Sequence, residues 1–268
     1  MPVPPRPPSS RFRFQLPPSV EARTASERAR LLERVLSRLV DKVVEVSVAP
    51  SYEALAVDLL AGRSDAAWAP PFTCARVEAM GVRVVCRAVR RGASSYRSAL
   101  LTRASAPLTL SELSGKRALW VDRDSVGGFL LAKAFLKGHG IDGRRFFSEE
   151  IAGSYRAALE GVLEGRADVT AVFAPNEGNP LSGVELVLPG QSEAFSVISL
   201  TEASPNDGVV VAMSLSPATT AALEQALRSL PELPEGRELL SELFHADGFE
   251  PAPRLSYRAL YRVALASA

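Results

Sequence analysis

The chain has 268 residues, 47% of them apolar and 23% charged, and a net charge of +1. That balance excludes a disordered or strongly basic chain and supplies apolar mass for a large core. No basic stripe points to nucleic acid, and no apolar run approaches the roughly 18 residues needed to span a bilayer.

Met1 to Ser10 is proline-rich, carries Arg6 and holds no apolar stretch of the kind a secretory leader needs. The expected location is the cytoplasm, or the periplasm if a leader has been removed. Arg11 to Leu16 alternates as a first strand that ends at Pro17-Pro18-Ser19. Thr24 to Asp41 places Leu31, Leu32, Val35, Leu36, Leu39 and Val40 at helical spacing. A strand over Val43 to Val48 follows, then an amphipathic segment from Tyr52 to Leu60 that runs through Gly62 and Asp65 into a short apolar strand. Phe72 to Met80 reads as a helix stopped by Gly81, and Val82 to Val89 as a strand. Tyr96 to Arg103 is the strand expected to leave the first lobe.

Leu110 to Lys116 reads as a helical turn, Arg117 to Val121 as a strand, and Phe129 to Lys137 as a helix ended by Gly138. Phe146-Phe147 should open a strand, after which Tyr155 to Leu163 is a helix leading through Gly165 and Asp168 into another apolar strand. Val184 to Leu188 and Phe195 to Leu200 read as strands flanking a Pro189-Gly190 turn. Ser204 to Gly208 is a turn, Val209 to Met213 a strand, and Ser216 to Leu230 a capped helix. Glu235 to Phe244 and Leu255 to Leu265 read as helical.

Two of these passages repeat one phrase. Leu60-Ala-Gly62-Arg63-Ser-Asp65 leads into Trp68-Ala-Pro70, and Leu163-Glu-Gly165-Arg166-Ala-Asp168 leads into Phe173-Ala-Pro175. Each reads as a helix, a glycine stop, an aspartate turn and a buried parallel strand. The duplication predicts an α/β chain of two lobes, 1–99 with 201–268 and 100–200, joined by two crossover strands acting as a hinge. Ligands of open α/β sheets sit at the carboxyl ends of the strands. Asp65 and Asp168 are expected to bond their own turns and to stay structural.

The candidate site residues lie at those strand ends. Asp122-Arg-Asp124-Ser125-Val126-Gly127-Gly128 joins a strand to a helix, where a hydroxyl cap, open amides and the helix dipole favour an anion. Tyr96-Arg97-Ser98 offers a guanidinium fork for a carboxylate or phosphate, or for an acid that pins the hinge. Gly153-Ser154-Tyr155 opens the second repeat's helix, and Ser19, Tyr52, Trp68, Pro70, Pro71, Phe72 and Asn176 supply aromatic, proline and polar walls. Cys74 and Cys86 match no metal or redox spacing and read as reduced core thiols. His139 and His245 are too far apart in sequence for a metal site, and neither falls on a loop expected to face a ligand. No metal or cofactor is expected.

These phrases, in this order, resemble the phosphate-, phosphite- and phosphonate-type substrate-binding proteins of ABC transporters, the PhnD-like group of the type II periplasmic-binding-protein fold. The resemblance runs through Tyr52 and Leu60 to Asp65, Pro70-Pro71-Phe72, Tyr96-Arg97-Ser98, Leu110 to Lys116, Asp122 to Gly128, Gly153-Ser154-Tyr155, and Pro205-Asn-Asp-Gly208. It implies two α/β lobes closing on a small anion, with Tyr52, Tyr96, Ser125, Gly127, Gly128, Ser154 and Tyr155 in the pocket. Where the family writes Asp-x-x-Ser-Thr-Ser-Gly, this chain has Ser125-Val126-Gly127, and the family's histidine is Tyr155. Those departures imply a changed ligand, such as a carboxylate or an aromatic acid.

The leading expectation is a non-catalytic binding or sensor module for a small phosphonate, phosphate or carboxylate, with a transporter or signalling partner and no membrane insertion. An alternative is a cytoplasmic enzyme on the same fold, similar to chorismate dehydratases, with Asp122, Asp124, Asn176 and Glu177 as acid–base candidates. A third, the effector domain of a transcription regulator, finds no helix-turn-helix segment to support it.

Overall fold

The computed structural model describes residues 11–19, 22–141 and 148–267, which divide into one unit of 1–94 with 205–261 and another of 95–204 with 262–268. The divisions fall at 94/95 and 204/205, where the sequence led us to expect 99/100 and 200/201.

Unit 1 begins with β1 (Arg11–Leu16), which buries Phe12, Phe14 and Leu16, and α1 (Ala22–Val40), which lays Leu32, Val35 and Leu36 on the sheet. β2 (Val43–Val48) pairs with β1 in parallel and forms one edge of the sheet. That edge is blunted from within. Ser37 Oγ accepts from the Val44 amide at 2.9 Å, and Glu33 Oε1 accepts from the Val46 amide at 2.9 Å. Two α1 side chains thus occupy donors that would otherwise template another strand. α2 (Tyr52–Leu60), β3 (Ala66–Ala69), α3 (Pro71–Ala79) and β4 (Arg83–Val89) complete this stretch.

In unit 2, β5 (Ser95–Arg103) is the central strand, followed by a tight turn at Leu110–Glu112 and β6 (Arg117–Trp120). The next helix starts earlier than its sequence suggests, with a wide turn over Val126–Leu130 before α4 (Leu131–Gly138). There the Leu130 amide reaches back five residues to the Ser125 carbonyl at 2.9 Å. β7 (Ser148–Ile151) is the next described element, so the strand expected to open at Phe146-Phe147 starts outside the described residues. α5 (Tyr155–Leu163) and β8 (Thr170–Ala174) carry the second repeat, and α6 (Ser182–Val187) and β9 (Phe195–Leu200) close the unit.

β10 (Ser204–Pro205) adds to β5, and the remainder of unit 1 follows as β11 (Gly208–Val211), α7 (Pro217–Ser229), α8 (Pro234–Leu239), a wide turn at Leu240–Phe244, β12 (Gly248–Pro251) and α9 (Arg258–Ser267). The first sheet runs β12-β4-β11-β3-β1-β2, with β11 antiparallel to both neighbours. The second runs β10-β5-β8, with β9 also on β5, and β6-β7 form a parallel pair.

Several expectations need correction. This stretch is the helix Ser182–Val187, because Val184 and the capping Leu188 bury one turn apart while Glu185 and Leu186 face water, a period of about four rather than two. β12 was not foreseen, since Gly248-Phe-Glu-Pro251 is too short and mixed to show an alternating pattern. β8, expected to be parallel, pairs antiparallel with β5 and meets β6 in parallel only through the Ala118–Val169 bridge.

The core of unit 1 gathers Phe12, Phe14, Leu16, Leu32, Leu36 and the edge-to-face trio Trp68, Phe244 and Phe249. Unit 2 has its own core around Leu101, Leu119, Leu159, Val162 and Val172. Fully burying one such side chain contributes about 1.5–3 kcal/mol, so each unit has an independent hydrophobic reason to fold.

Candidate functional site

In unit 2, the residues named from the sequence converge where β6 and β8 end and β5 begins. Ser125 caps the following helix: its Oγ accepts from the Gly128 amide at 3.1 Å and lies 3.3 Å from the Tyr155 hydroxyl. Tyr155 is half-buried at the first turn of α5, held edge-to-face against Phe173 of β8. Ser98 donates from its buried hydroxyl to the Gly127 carbonyl at 2.6 Å, tying the loop to β5.

Gly127 explains the family departure in physical terms. A Cβ at this position would lie 3.0 Å from Tyr155 Oη, 3.2 Å from a ring carbon of Tyr96 and 3.3 Å from Phe173 Cβ. The two tyrosines therefore fill the space a larger side chain at 127 would need, and the hydroxyl comes from α5 instead of from the loop. Gly128 is required by packing, since a Cβ there would meet Val121 at 2.3 Å. Val126 is buried, and as first residues of the helix Val126 and Gly127 have no intrahelical acceptor for their amides.

The other named residues sit apart from this cluster. Side chains alternate along β5, so Tyr96 and Ser98 share one face while Ser95 and Arg97 share the other. On that second face Arg97 donates to the Thr201 carbonyl at 3.3 Å, and Asn176 donates to the Ser95 carbonyl and hydroxyl at 3.0 and 2.8 Å. Arg97 Nε and Asn176 Oδ1 are each sealed from solvent without a partner among the described residues. Ser154 is exposed and caps α5 through the Ala157 amide, as Ser51 caps α2 through the Ala54 amide. Tyr52 is half-buried beside that cap, and Pro71 is buried at the start of α3.

Unit 1 holds a pocket of about 530 Å³ at the carboxyl ends of β1, β3 and β4, where β11 begins. Ser19 and the proline and tryptophan walls foreseen from the sequence line it, as Pro17, Trp68 and Pro70. Arg28, Arg90, Asp207, Glu242 and His245 were missed, because only the tertiary structure brings α1 and the turn after α8 to that edge. His245 also lines this pocket. Arg90 pairs with Asp207 at 2.5 Å and donates to the His245 and Phe244 carbonyls, and Arg28 pairs with Glu242 at 2.5 Å.

The loop carrying Asp207 is fixed from below. Asn206 donates to the Ala88 and Ala93 carbonyls, and the buried Tyr257 hydroxyl donates to the Asn206 carbonyl at 2.6 Å. Glu78 accepts from the Tyr257 amide at 2.9 Å, and burial pushes its carboxyl up from the usual range. Burial also pushes the Cys86 thiol up to about 12 and raises that of Cys74, so both stay protonated and unreactive at neutral pH. His139 keeps to its helix end, its Nδ1 2.8 Å from the Phe135 carbonyl.

Asp65 and Asp168 each reach across to a neighbouring strand. Asp65 receives the Arg13 amide and guanidinium, and Asp168 receives the Arg117 amide and guanidinium, each arginine lying on the neighbouring strand.

Solved structures share this fold across nearly the whole chain. A Xanthomonas citri protein solved with ATP matches with a TM-score of 0.80 at 20% identity, covering 97% of each chain. PhnD1 of Prochlorococcus marinus, solved with methylphosphonate, matches at 0.72 and 16% identity over 96% of this chain and 98% of its own. A binding-protein component of a Pseudomonas aeruginosa ABC phosphonate transporter matches at 0.69 and 15% identity, over 96% and 86%. No curated protein sequence matches the chain. No helix among the described residues is long and apolar enough to cross a membrane. The model of the ABC-transporter phosphonate periplasmic substrate-binding proteins matches residues 14–257. The chain belongs to that family of two-lobed α/β proteins, and its function is the non-catalytic binding of a small ligand.

Proposed function

We propose that the ligand is a small anion held in unit 2 at the opening of the 126–138 helix. The observation that carries this reading is the 3.3 Å approach of Ser125 Oγ and Tyr155 Oη beside Gly127. Two hydroxyls and the first amides of a helix then converge on one spot, a combination suited to an oxyanion. Arg97 and Asn176, with polar atoms unpaired among the described residues at the same end of the unit-2 strands, and Ser154 are further ligand contacts in unit 2, and Ser19, Tyr52 and Pro71 are candidate contacts of unit 1. The protein works in the periplasm beside an ABC transporter, as its family description has it.

Titration calorimetry with methylphosphonate, phosphate and benzoate tests the reading. At least one should bind saturably, and Tyr155→Phe should weaken it about 10–100-fold, the equivalent of one hydrogen bond to a charged group. An unchanged affinity in Tyr155→Phe, or no binding by any of the three, overturns it.

A further inference from the structure

Ser98 of β5 is completely buried, so its hydroxyl is sealed from solvent. Thr201 holds its backbone. The Ser98 amide donates to Thr201 Oγ1 at 3.0 Å, and the Thr201 amide donates to the Ser98 carbonyl at 2.9 Å. From that fixed place the Ser98 hydroxyl donates to the Gly127 carbonyl at 2.6 Å. The direction of this bond is settled, because a carbonyl oxygen only accepts.

The Gly127 carbonyl belongs to the wide turn over Val126–Leu130. In a regular helix it would receive the Leu131 amide, but here that amide goes to the Val126 carbonyl. Ser98 gives the Gly127 carbonyl a donor from a distant strand and so favours the widened form of the turn. The same peptide is clamped at its other end. Gly127 C=O and Gly128 N–H lie in one planar unit, and the Gly128 amide donates to Ser125 Oγ at 3.1 Å. Ser125 Oγ is the acceptor in that bond and keeps its own proton for a further partner, beside Tyr155 Oη at 3.3 Å. Hydrogen bonds aligned head to tail polarise one another. The Ser98 proton draws density from the Gly127 carbonyl, which strengthens the Gly128 amide as a donor and the Ser125 hydroxyl after it.

We propose that Ser98 is a positioning residue for the ligand: acting through the Gly127–Gly128 peptide, it aims and strengthens the Ser125 hydroxyl as a donor to the anion. This rests on the anion reading of the Ser125–Tyr155 site and adds to it a residue that touches no ligand.

The test is titration calorimetry with whichever of methylphosphonate, phosphate and benzoate binds the parent most tightly. Ser98→Ala should weaken binding about 2–10-fold, the equivalent of one neutral hydrogen bond. Ser98→Cys, with a weaker donor of similar shape, should fall between alanine and the parent, and it carries the comparison if the alanine variant fails to fold. In a Ser125→Ala background the further change Ser98→Ala should cost less than about twofold, because residues that act through one another are not additive. A role in strand packing alone would lower the melting temperature and leave affinity unchanged, which overturns the proposal. An undiminished Ser98→Ala loss in the Ser125→Ala background overturns it too. In both cases the anion site stands if Tyr155→Phe still weakens binding. No binding by any of the three compounds, or full affinity in Tyr155→Phe, removes the anion site and this inference with it.

Discussion

Asp168 receives three hydrogen bonds from Arg117, one from the backbone amide at 2.9 Å and two from the guanidinium at 3.1 and 2.9 Å. Its own amide returns a bond to the Arg117 carbonyl at 2.9 Å. Asp65 and Arg13 make the same reciprocal clamp in unit 1, amide to carbonyl at 2.9 Å and amide to carboxylate at 2.8 Å. The repeated aspartate is thus a strand-to-strand latch that seats β3 against β1 and β8 beside β6. Asp168→Ala and Asp65→Ala should each lower stability by about 1–2 kcal/mol, the value of charge-assisted bonds reduced by solvent screening. Urea unfolding of the two variants checks this, and a negligible change in both would exclude the latch.

The acid side of the stability curve follows from the same groups. Hydrogen bonds from the Arg117 guanidinium hold Asp168 below the usual carboxylate range, and Gln15 and Arg63 do the same for Asp58. Hydrogen bonds from Ser94 and Arg87 lower Glu250. For these lowered groups the stabilisation is present above the unfolded value and disappears as pH falls through the folded one. Glu78 is raised by burial and acts in reverse, contributing at low pH and losing that contribution as pH climbs through its raised value. With Glu112, lowered by its hydrogen bonds from Thr109, four lowered carboxylates against one raised predict a melting temperature that drops below about pH 4, near the ordinary carboxylate value. Asp168→Asn should flatten that drop in a melting series across acidic buffers.

Glycine packing gives a test with opposite signs. Helix propensity alone favours alanine over glycine by about 1 kcal/mol. At Gly183, however, a Cβ would lie 1.9 Å from the Phe173 carbonyl oxygen, so Gly183→Ala should destabilise by about 2 kcal/mol or more as β8 and α6 are forced apart. Gly138, near the end of α4, has nothing within 4 Å, and Gly138→Ala should stabilise by a few tenths to about 1 kcal/mol. Calorimetric melting of both variants decides whether local propensity or packing governs each site.

The return loop before β11 depends on one phenol. Tyr257 is fully buried and its hydroxyl bonds the Asn206 carbonyl at 2.6 Å. Tyr257→Phe leaves that carbonyl short of a donor and should cost about 1–2 kcal/mol, with faster hydrogen exchange at Asn206 to Gly208. Unaltered exchange there would mean the loop is held by Asn206 alone.

The edge of the first sheet offers a solution test. Removing the Glu33 and Ser37 side chains exposes the Val44 and Val46 amides on β2. The double variant Glu33→Ala, Ser37→Ala should form soluble oligomers on warming at temperatures where the parent stays monodisperse by light scattering.

What was legible in the sequence is what local chemistry decides. The helix, glycine, aspartate and strand of each repeat could be read because Gly62 and Gly165 take positive φ after a helix and apolar strands follow at once. The cap Ser125 could be read for the same reason, since a hydroxyl satisfies amides two or three residues on. Distance along the chain hid the rest. Nothing near Asp168 announces Arg117, and α6 passed for a strand because only its seat against Phe173 reveals a four-residue period. The unit-1 pocket was half visible, in prolines and a tryptophan at strand ends. Its other half, Arg28 from α1 and Glu242 and His245 beyond α8, exists only once helices far apart in sequence pack over one sheet edge. Short-range hydrogen bonding wrote the elements into the sequence, whereas long-range packing alone chose which side chains meet.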